Sequence, residues 1–291
     1  MLSLLTTLQT YWTFSTIFDS VLMKHWRDPA IPSQMSASVD ERPDPRSSYT
    51  IFLRVVVVIS LALACGELLL TLHYRRQLDS PDFVARKFQE VYYNSRVWTD
   101  TTWLGVQSQQ APTDNWSMQE VIAEVDPDYI IETGTLFGGT TLFYVDVLSS
   151  VNPQGKVITI DVKPMVDQAS KHPQWQQCVE VITGSSVDPE VTDRIAHEVQ
   201  GKKVLVTLDS LHTREHVLKE MEIYSKLVTP GSYLVVQDTN INRNPVRSDF
   251  GPGPYEAVQE FLRRHDNFVV DRSREKFLLT FYPGGWLKRV K

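Results

Sequence analysis

This sequence of 291 residues is poor in cysteine and carries no excess of positive charge. Its two cysteines, Cys65 and Cys178, lie in very different contexts, so we expect free thiols rather than a disulfide framework. The net charge of -6 argues against a nucleic-acid-binding surface, which would need clustered Lys and Arg. No internal repeat or low-complexity tract is evident. The remaining composition, 42% apolar and 22% charged, is that of an ordinary globular protein.

The first fifty residues also lack the amino-acid composition of a catalytic core. Residues 1–23 are moderately apolar but have no basic region, so a cleaved signal peptide is not expected. Residues 27–46 hold four prolines, several serines and mixed charges, a composition that buries too little apolar surface to stay ordered. We therefore predict a polar, partly disordered segment over residues 1–50.

A long apolar run at residues 51–74 predicts a single membrane-spanning helix. Residues 51–72 would be about 33 Å long at ~1.5 Å per residue, close to the ~30 Å hydrocarbon core of a bilayer. The alternative is a buried amphipathic helix, but Arg54 and Glu67 are the only charges in that stretch and form no polar face. A slight excess of basic residues after the run predicts that the domain C-terminal to it lies in the cytosol. A linker and a helix are expected over residues 75–101.

From residue 114 onward, strand and helix patterns alternate. A capping-box pattern at Ser117 predicts a helix start, and further helices are expected at residues 138–148, 189–199, 213–224 and 254–264. Strands are expected at residues 128–133, 156–161, 179–184, 203–209, 232–238, 267–271 and 276–282. This alternation predicts an α/β fold, a doubly wound and mostly parallel seven-stranded sheet covered on both faces.

A glycine-containing loop, IIETGTLFGGTT at residues 130–141, follows the first strand. It fails the dinucleotide pattern G-x-G-x-x-G because Leu136 replaces the second glycine, and it fails the P-loop pattern because no Lys follows. The remaining pattern, E-x-G-x-x-x-G, is that of S-adenosylmethionine-dependent methyltransferases, with a plain tight turn as the alternative. The predicted cofactor contacts here are Glu132, Thr133, Gly134, Thr135 and Gly138.

Polar residues at the next two strand ends strengthen the prediction of a nucleoside pocket. Asp161 ends the second strand, where an acid accepts hydrogen bonds from ribose hydroxyls. Ser185 lies in the small polar run TGSS after the third strand, a composition suited to an adenine edge.

The fourth and fifth strands end in LDSLH and VQDTN, which brings a second group of polar residues to the same rim. Asp209, Gln237 and Asp238 could ligate Mg²⁺, and Asp209 and His212 could handle the proton of a hydroxyl substrate. The alternatives are helix-capping acids and a surface histidine. The pattern H-x-x-E-H at residues 212–216 also matches zinc peptidases, but the surrounding α/β alternation gives that no support.

Several blocks between Thr102 and the C-terminus resemble the cephalosporin hydroxylase/rhamnosyl O-methyltransferase family, GPGPYEAV and DRSREKF most distinctively. The resemblance implies a class I methyltransferase domain over residues 102–291. It also implies S-adenosylmethionine and Mg²⁺ as cofactors, and O-methylation of a sugar or small-molecule hydroxyl.

The resemblance marks Glu132, Gly134 and Asp161 as S-adenosylmethionine contacts, and Asp209 and Asp238 as metal ligands. The family pattern usually has Glu where this chain has Gln237, so one negative charge is lost and metal affinity should fall. An inactive S-adenosylmethionine-binding protein is the alternative function. The methyl acceptor and the oligomeric state do not follow from the sequence.

Overall fold

The computed structural model describes residues 45–78 and 80–291, so the predicted disordered segment lies almost wholly outside the described residues. The chain divides into two compact units, residues 1–68 and residues 69–291. Helix α1, Pro45–Leu78, crosses that boundary. Among the described residues, one helical segment, Tyr49–Arg76, is long and apolar enough to span a membrane, judged by length and composition alone. It contains the predicted span of residues 51–74.

The second unit is built on a seven-stranded sheet of order β5-β4-β3-β6-β7-β9-β8. The first five of these positions are parallel, and β9 runs antiparallel to both of its neighbours. The strands are β3 Tyr129–Thr133, β4 Lys156–Asp161, β5 Val179–Thr183, β6 Val204–Leu208, β7 Tyr233–Val236, β8 Phe268–Val270 and β9 Trp286–Arg289. A small separate hairpin consists of β1 Thr102–Trp103 and β2 Val106–Gln107.

Apolar side chains from helices and strands form two buried clusters. The helices of this unit are α2 Pro81–Ser95, α3 Pro112–Val125, α4 Gly139–Val151, α5 Pro173–Cys178, α6 Pro189–Glu198, α7 Arg214–Tyr224 and α8 Pro254–Leu262. Because β3 pairs with β4 on one side and β6 on the other, strand order reverses there. In open α/β sheets that reversal places a ligand crevice beyond the carboxyl ends of the strands.

The structure corrects two sequence-based predictions. Residues 276–282 are not a strand: Leu278 has a left-handed φ of 63°, and the final strand is Trp286–Arg289. Helix α3 begins at Pro112, five residues before the predicted capping box, and the Ser117 hydroxyl instead donates to the Arg274 carbonyl. The short helix α5 was not predicted. The other predicted helices and strands are present, with ends shifted by a few residues.

Candidate active site

A cavity of about 710 Å³ opens at the carboxyl rim of the sheet, where the strand order reverses. The loop after β3, the ends of β4 to β7 and the segment before α3 all contribute to its wall. Its polar lining includes Ser108, Gln109, Gln110, Thr135, Thr140, Asp161, Ser185, Ser186, Asp209, Ser210, His212, His216 and Asp238. Four of the predicted cofactor contacts therefore share one cavity with the predicted proton-handling residues Asp209 and His212: Gly134, Thr135, Asp161 and Ser185.

Close backbone packing makes glycine obligatory at one position in the loop after β3 and at the first residue of α4. Gly134 has a φ of 90°, and a Cβ there would lie 1.9 Å from the Asp209 carbonyl oxygen. A Cβ on Gly139 would lie 2.2 Å from the Gln107 carbonyl oxygen. The loop is thereby pressed against β6 on one side and the β1–β2 hairpin on the other. Gly134 lines the cavity, whereas the predicted contact Gly138 does not.

Glu132 lies beneath the loop rather than in the cavity wall. Its carboxylate is 1% exposed and accepts hydrogen bonds from the hydroxyls of Thr141 and Thr159. Burial raises the pKa of Glu132 to about 8, against the opposing effect of the two hydroxyls. Thr133 is also fully buried and does not line the cavity. Of these two predicted cofactor residues, neither borders the cavity, and Glu132 instead ties β3 to α4 through Thr141 and to β4 through Thr159.

Asp161 ties the glycine loop to the end of β4. One carboxylate oxygen accepts from the backbone N–H groups of Thr135 at 3.0 Å and Leu136 at 2.9 Å. The other accepts from the Lys163 N–H at 2.8 Å. Asp161, Thr135 and Ser185 all line the cavity. The Asp161 carboxylate thus shapes the loop and borders the space that a nucleoside would occupy.

Asp209, His212 and Asp238 form a cluster whose candidate ligand atoms all lie within 4.8 Å of one another. His212 Nε2 is 3.1 Å from Asp209 Oδ1 and 3.3 Å from Asp238 Oδ2. Burial acts to lower the pKa of His212, but the two carboxylates outweigh it and raise that pKa to about 9. Burial raises the pKa of Asp238 to about 6, against the opposing charge of His212. At neutral pH the cluster is therefore an imidazolium between two carboxylates.

Asp238 holds its place in this cluster with a left-handed backbone, at a φ of 52°. Residues other than glycine rarely adopt that conformation, which costs roughly 1–3 kcal/mol and tends to occur at functional sites. The conformation turns the chain directly after β7, one residue beyond Gln237.

Gln237 is 1% exposed, and its amide is fully engaged by protein groups. Its oxygen accepts from Gln110 Nε2 at 2.9 Å and from the Tyr282 hydroxyl at 2.6 Å. Its nitrogen donates to Thr207 Oγ1 at 2.7 Å and to the Tyr144 hydroxyl at 3.1 Å. Both lone pairs of the oxygen are thus used, which leaves none for a metal ion. In this structure His212, not Gln237, lies beside the two aspartates.

Gln110 is a site residue that the sequence interpretation did not identify. Its Nε2 lies 3.3 Å from Asp209 Oδ2, and its side chain also contacts Gln237 and Tyr282. It precedes α3 in an irregular segment, so neither periodicity nor a strand end marks it. The H-x-x-E-H pattern does not assemble as a metal site, because Glu215 is 74% exposed and pairs with Arg214.

A family model described as Rhamnosyl O-methyltransferase/CmcI matches residues 95–290 of this chain. Rhamnosyl O-methyltransferase of Mycobacterium tuberculosis H37Rv is 37% identical over 215 residues, which cover 72% of this chain and 86% of that protein. The Mycobacterium leprae protein of the same name is 36% identical over 214 residues, covering 72% of this chain and 91% of that protein.

Solved structures of CmcI share the fold at low sequence identity. An Mg–SAM form has a TM-score of 0.51 at 16% identity, covering 66% of this chain and 78% of its own. An apo form has a TM-score of 0.50 at 16% identity, covering 66% and 77%. These matches identify the sheet and its helices as a class I methyltransferase fold.

Proposed function

Since this chain belongs to the rhamnosyl O-methyltransferase/CmcI family and is an S-adenosylmethionine-dependent O-methyltransferase, we propose that it methylates a sugar or small-molecule hydroxyl held beside Asp209 and Asp238. The observation that carries the proposal is the shared cavity, which borders both the Gly134 loop and the Asp209, His212, Asp238 cluster. A methyl donor at the loop and a hydroxyl at the cluster would lie in one enclosed space.

The residues of the cavity fit S-adenosylmethionine. The volume of about 710 Å³ is of the size that encloses a ligand of this kind. Thr135, Asp161 and Ser185 supply polar groups at the cavity wall. Gly134 also lines the cavity and has no side chain that would occupy it. We assign the sugar of the nucleoside to Asp161, whose Oδ1 accepts only one protein hydrogen bond and can accept another.

The two carboxylates of the cluster also fit a hard divalent cation. Asp209 and Asp238 offer the carboxylate oxygens that Mg²⁺ prefers, whereas the protonated His212 has no free lone pair and would hold these carboxylates rather than the metal. When bound, S-adenosylmethionine supplies an electrophilic methyl group and Mg²⁺ supplies Lewis acidity at the acceptor oxygen.

The acceptor proton is best assigned to a carboxylate of this cluster. His212 already carries a proton at neutral pH because its pKa is raised to about 9, so it cannot accept another. Asp209 lies beside it at 3.1 Å and can take a proton from a hydroxyl. The His212 imidazolium then balances charge and fixes the orientation of the two carboxylates.

We further propose that the helical segment Tyr49–Arg76 anchors the chain in a membrane with the methyltransferase domain in the cytosol. Its length, its apolar composition and its largely exposed side chains support this location. Any acceptor reached from that position would lie at or near the membrane surface.

The test is release of S-adenosylhomocysteine by the purified full chain, with rhamnose-bearing glycosides and other hydroxylated acceptors, with and without Mg²⁺. We expect turnover with a sugar acceptor and stimulation by Mg²⁺. Activity that metal chelators leave unchanged would show that the reaction needs no Mg²⁺. Tight S-adenosylmethionine binding without turnover on any acceptor would favour the inactive binding protein.

A further inference from the structure

Helix α2, Pro81–Ser95, carries large apolar residues on its outward side as well as on the side that packs against the domain. A surface helix normally turns its apolar face to the core. Here the buried residue is polar: Gln89 is 5% exposed and donates to the Thr280 carbonyl. Tyr92 and Tyr93 on the same side pack against Phe281, with ring centroids 6.1 and 5.6 Å away. This side of α2 is therefore the one held by the domain.

The outward side of α2 carries the large apolar residues. Phe83 is 40% exposed, Val84 53%, Phe88 54% and Val91 61%. At about 100° per residue these four side chains occupy an arc of roughly 140°. We call these four residues the outward stripe. Lys87 lies within that arc and pairs with Glu90 at 2.7 Å, and its long aliphatic stem can extend toward head groups.

The chain itself limits how far the outward stripe can be from a bilayer. Five residue steps separate Arg76, the end of the apolar segment, from Pro81, the start of α2. Even a fully extended chain spans at most ~3.6 Å per residue, so the two lie within roughly 18 Å. If the apolar segment crosses a membrane, α2 begins beside the polar surface of that membrane.

We infer that the outward stripe of α2 inserts into the interfacial layer of a lipid bilayer and makes a second, in-plane contact for the domain. This inference rests on the proposed membrane anchorage. Interfacial helices bury an apolar face about 5–10 Å into the boundary between head groups and acyl chains. Charge contributes little here, because four basic residues against three acidic residues leave a net charge of only +1: Arg75, Arg76, Arg86 and Lys87 against Asp79, Asp82 and Glu90. Zwitterionic lipid should therefore suffice.

The test places an environment-sensitive fluorophore at single cysteines in the full chain, after Cys65→Ala and Cys178→Ala, in phosphatidylcholine vesicles. Probes at Val84 and Val91 report the outward stripe. A probe at Arg86 is the matched control, because it is exposed on the same helix but about 200° around from Val84. A probe at Leu63 reports the apolar segment independently. Nitroxide quenchers are carried either on the lipid head group or near the top of the acyl chain.

We expect the Val84 and Val91 probes to shift to shorter emission wavelengths and to be quenched by acyl-chain nitroxide. The Arg86 probe should respond only to head-group nitroxide. Quenching at Leu63 without acyl-chain quenching at Val84 and Val91 would overturn the inference while leaving the anchorage standing. No quenching at Leu63 would overturn the anchorage itself, and with it the premise of the inference. A blue shift at Val84 without lipid quenching would mean that protein covers the outward stripe, which also overturns the inference.

Discussion

At the scale of single residues, the rim of the sheet is held by side chains that face one another across long sequence distances. Gln237 contacts Gln110, Tyr144, Thr207 and Tyr282, which come from four different segments. A buried network of this kind is costly when any member loses its partner, because a buried unpaired polar group costs about 1–3 kcal/mol. The network therefore fixes Gln110, and through it one oxygen of Asp209.

Replacing Gln237 separates this positioning role from metal ligation. Gln237→Leu should destabilise the domain by about 2–4 kcal/mol, because it leaves several buried polar groups unpaired. Gln237→Glu should cost less, since all four partners have a hydrogen to donate to a carboxylate. Chemical unfolding measures both. If Gln237 were a metal ligand, Gln237→Glu would lower the Mg²⁺ concentration for half-maximal activity; we expect that concentration to be unchanged.

Asp209→Asn should lower kcat by about 10²–10⁴-fold, the usual contribution of a general acid or base. Its backbone and side-chain volume are kept, so S-adenosylhomocysteine affinity should change little. Calorimetric titration and turnover assays measure the two quantities separately. Asp249→Asn is the control, because that side chain is 77% exposed and outside the cavity lining. Equal turnover in both variants would contradict the role assigned to Asp209.

Gly134→Ala should abolish S-adenosylmethionine binding and destabilise the fold, because the new methyl group would lie 1.9 Å from the Asp209 carbonyl oxygen. Gly231→Ala is a matched control. Its φ of 87° is similar, but a Cβ there meets nothing within 4 Å. The control should lose only the roughly 1–2 kcal/mol of a left-handed non-glycine residue and should bind normally. Similar losses of stability and of S-adenosylmethionine binding in the two variants would mean that the left-handed backbone alone explains why residue 134 must be glycine.

At the scale of the elements, β3 carries a buried acid, Glu132, one residue before its end. The folded pKa of Glu132, about 8, is above its ordinary value of 4.5, so the folded state holds a proton that the unfolded chain releases. Stability from this group is therefore complete below about pH 4.5 and is lost as the pH rises through 8. Asp114 acts in the same direction, since burial raises its pKa to about 7.

Glu132→Gln should reduce the fall in unfolding free energy between pH 5 and 8 by an amount on the order of a few kcal/mol. Denaturant unfolding at a series of pH values measures this slope. A residual slope should remain from Asp114 and should shrink further in the double variant with Asp114→Asn. Glu215→Gln, at a 74% exposed position, serves as the control and should leave the slope unchanged. An unchanged slope in Glu132→Gln would show that Glu132 ionises freely in the folded protein.

The elements that the sequence predicted best are those whose signals are local. Each of the five parallel strands is a short apolar run with a polar end, and that pattern located β3 to β7 within a few residues. The last strand was misplaced because residues 276–282 are more apolar than Trp286–Arg289. What decides the pairing there is non-local: β9 fits between β7 and β8 only because Gly285 lets its chain approach Val236, where a Cβ would lie 2.1 Å from the carbonyl oxygen.

The candidate site shows the same division between local and distant signals. Asp161, Asp209 and Asp238 lie at or just after the carboxyl ends of parallel strands. Because those ends meet at one edge of the sheet, the sequence predicted that the three acids lie close together. Gln110 reaches Asp209 across 99 positions of sequence from a segment without periodic pattern. The full engagement of Gln237 likewise depends on Tyr282, 45 residues away. Neither contact leaves a signature in the local sequence.

At the scale of the whole molecule, the proposed membrane anchorage would place the methyltransferase domain at a membrane surface. We expect the full chain to stay in the membrane pellet after an alkaline carbonate wash. Leu61→Lys with Leu63→Lys should release it, since each charge at the centre of a span costs roughly 2.5–3.5 kcal/mol. Tyr74→Lys, near the end of the segment, is the control and should stay in the pellet. Complete extraction of the unaltered chain by carbonate would argue against the anchor.

The placement of β9 has a consequence for how the protein is made. Within the part of the chain that the structure describes, β8 pairs with β9 and with no other strand, although β8 is synthesised before β9. Residues up to 289 must therefore leave the ribosome before the sheet can be completed. Tyr282, which closes the network around Gln237, lies in the segment just ahead of β9. A nascent chain that stops short of β9 would leave both β7 and β8 without their partner strand, so we expect methyl transfer to begin only after that stretch has been translated.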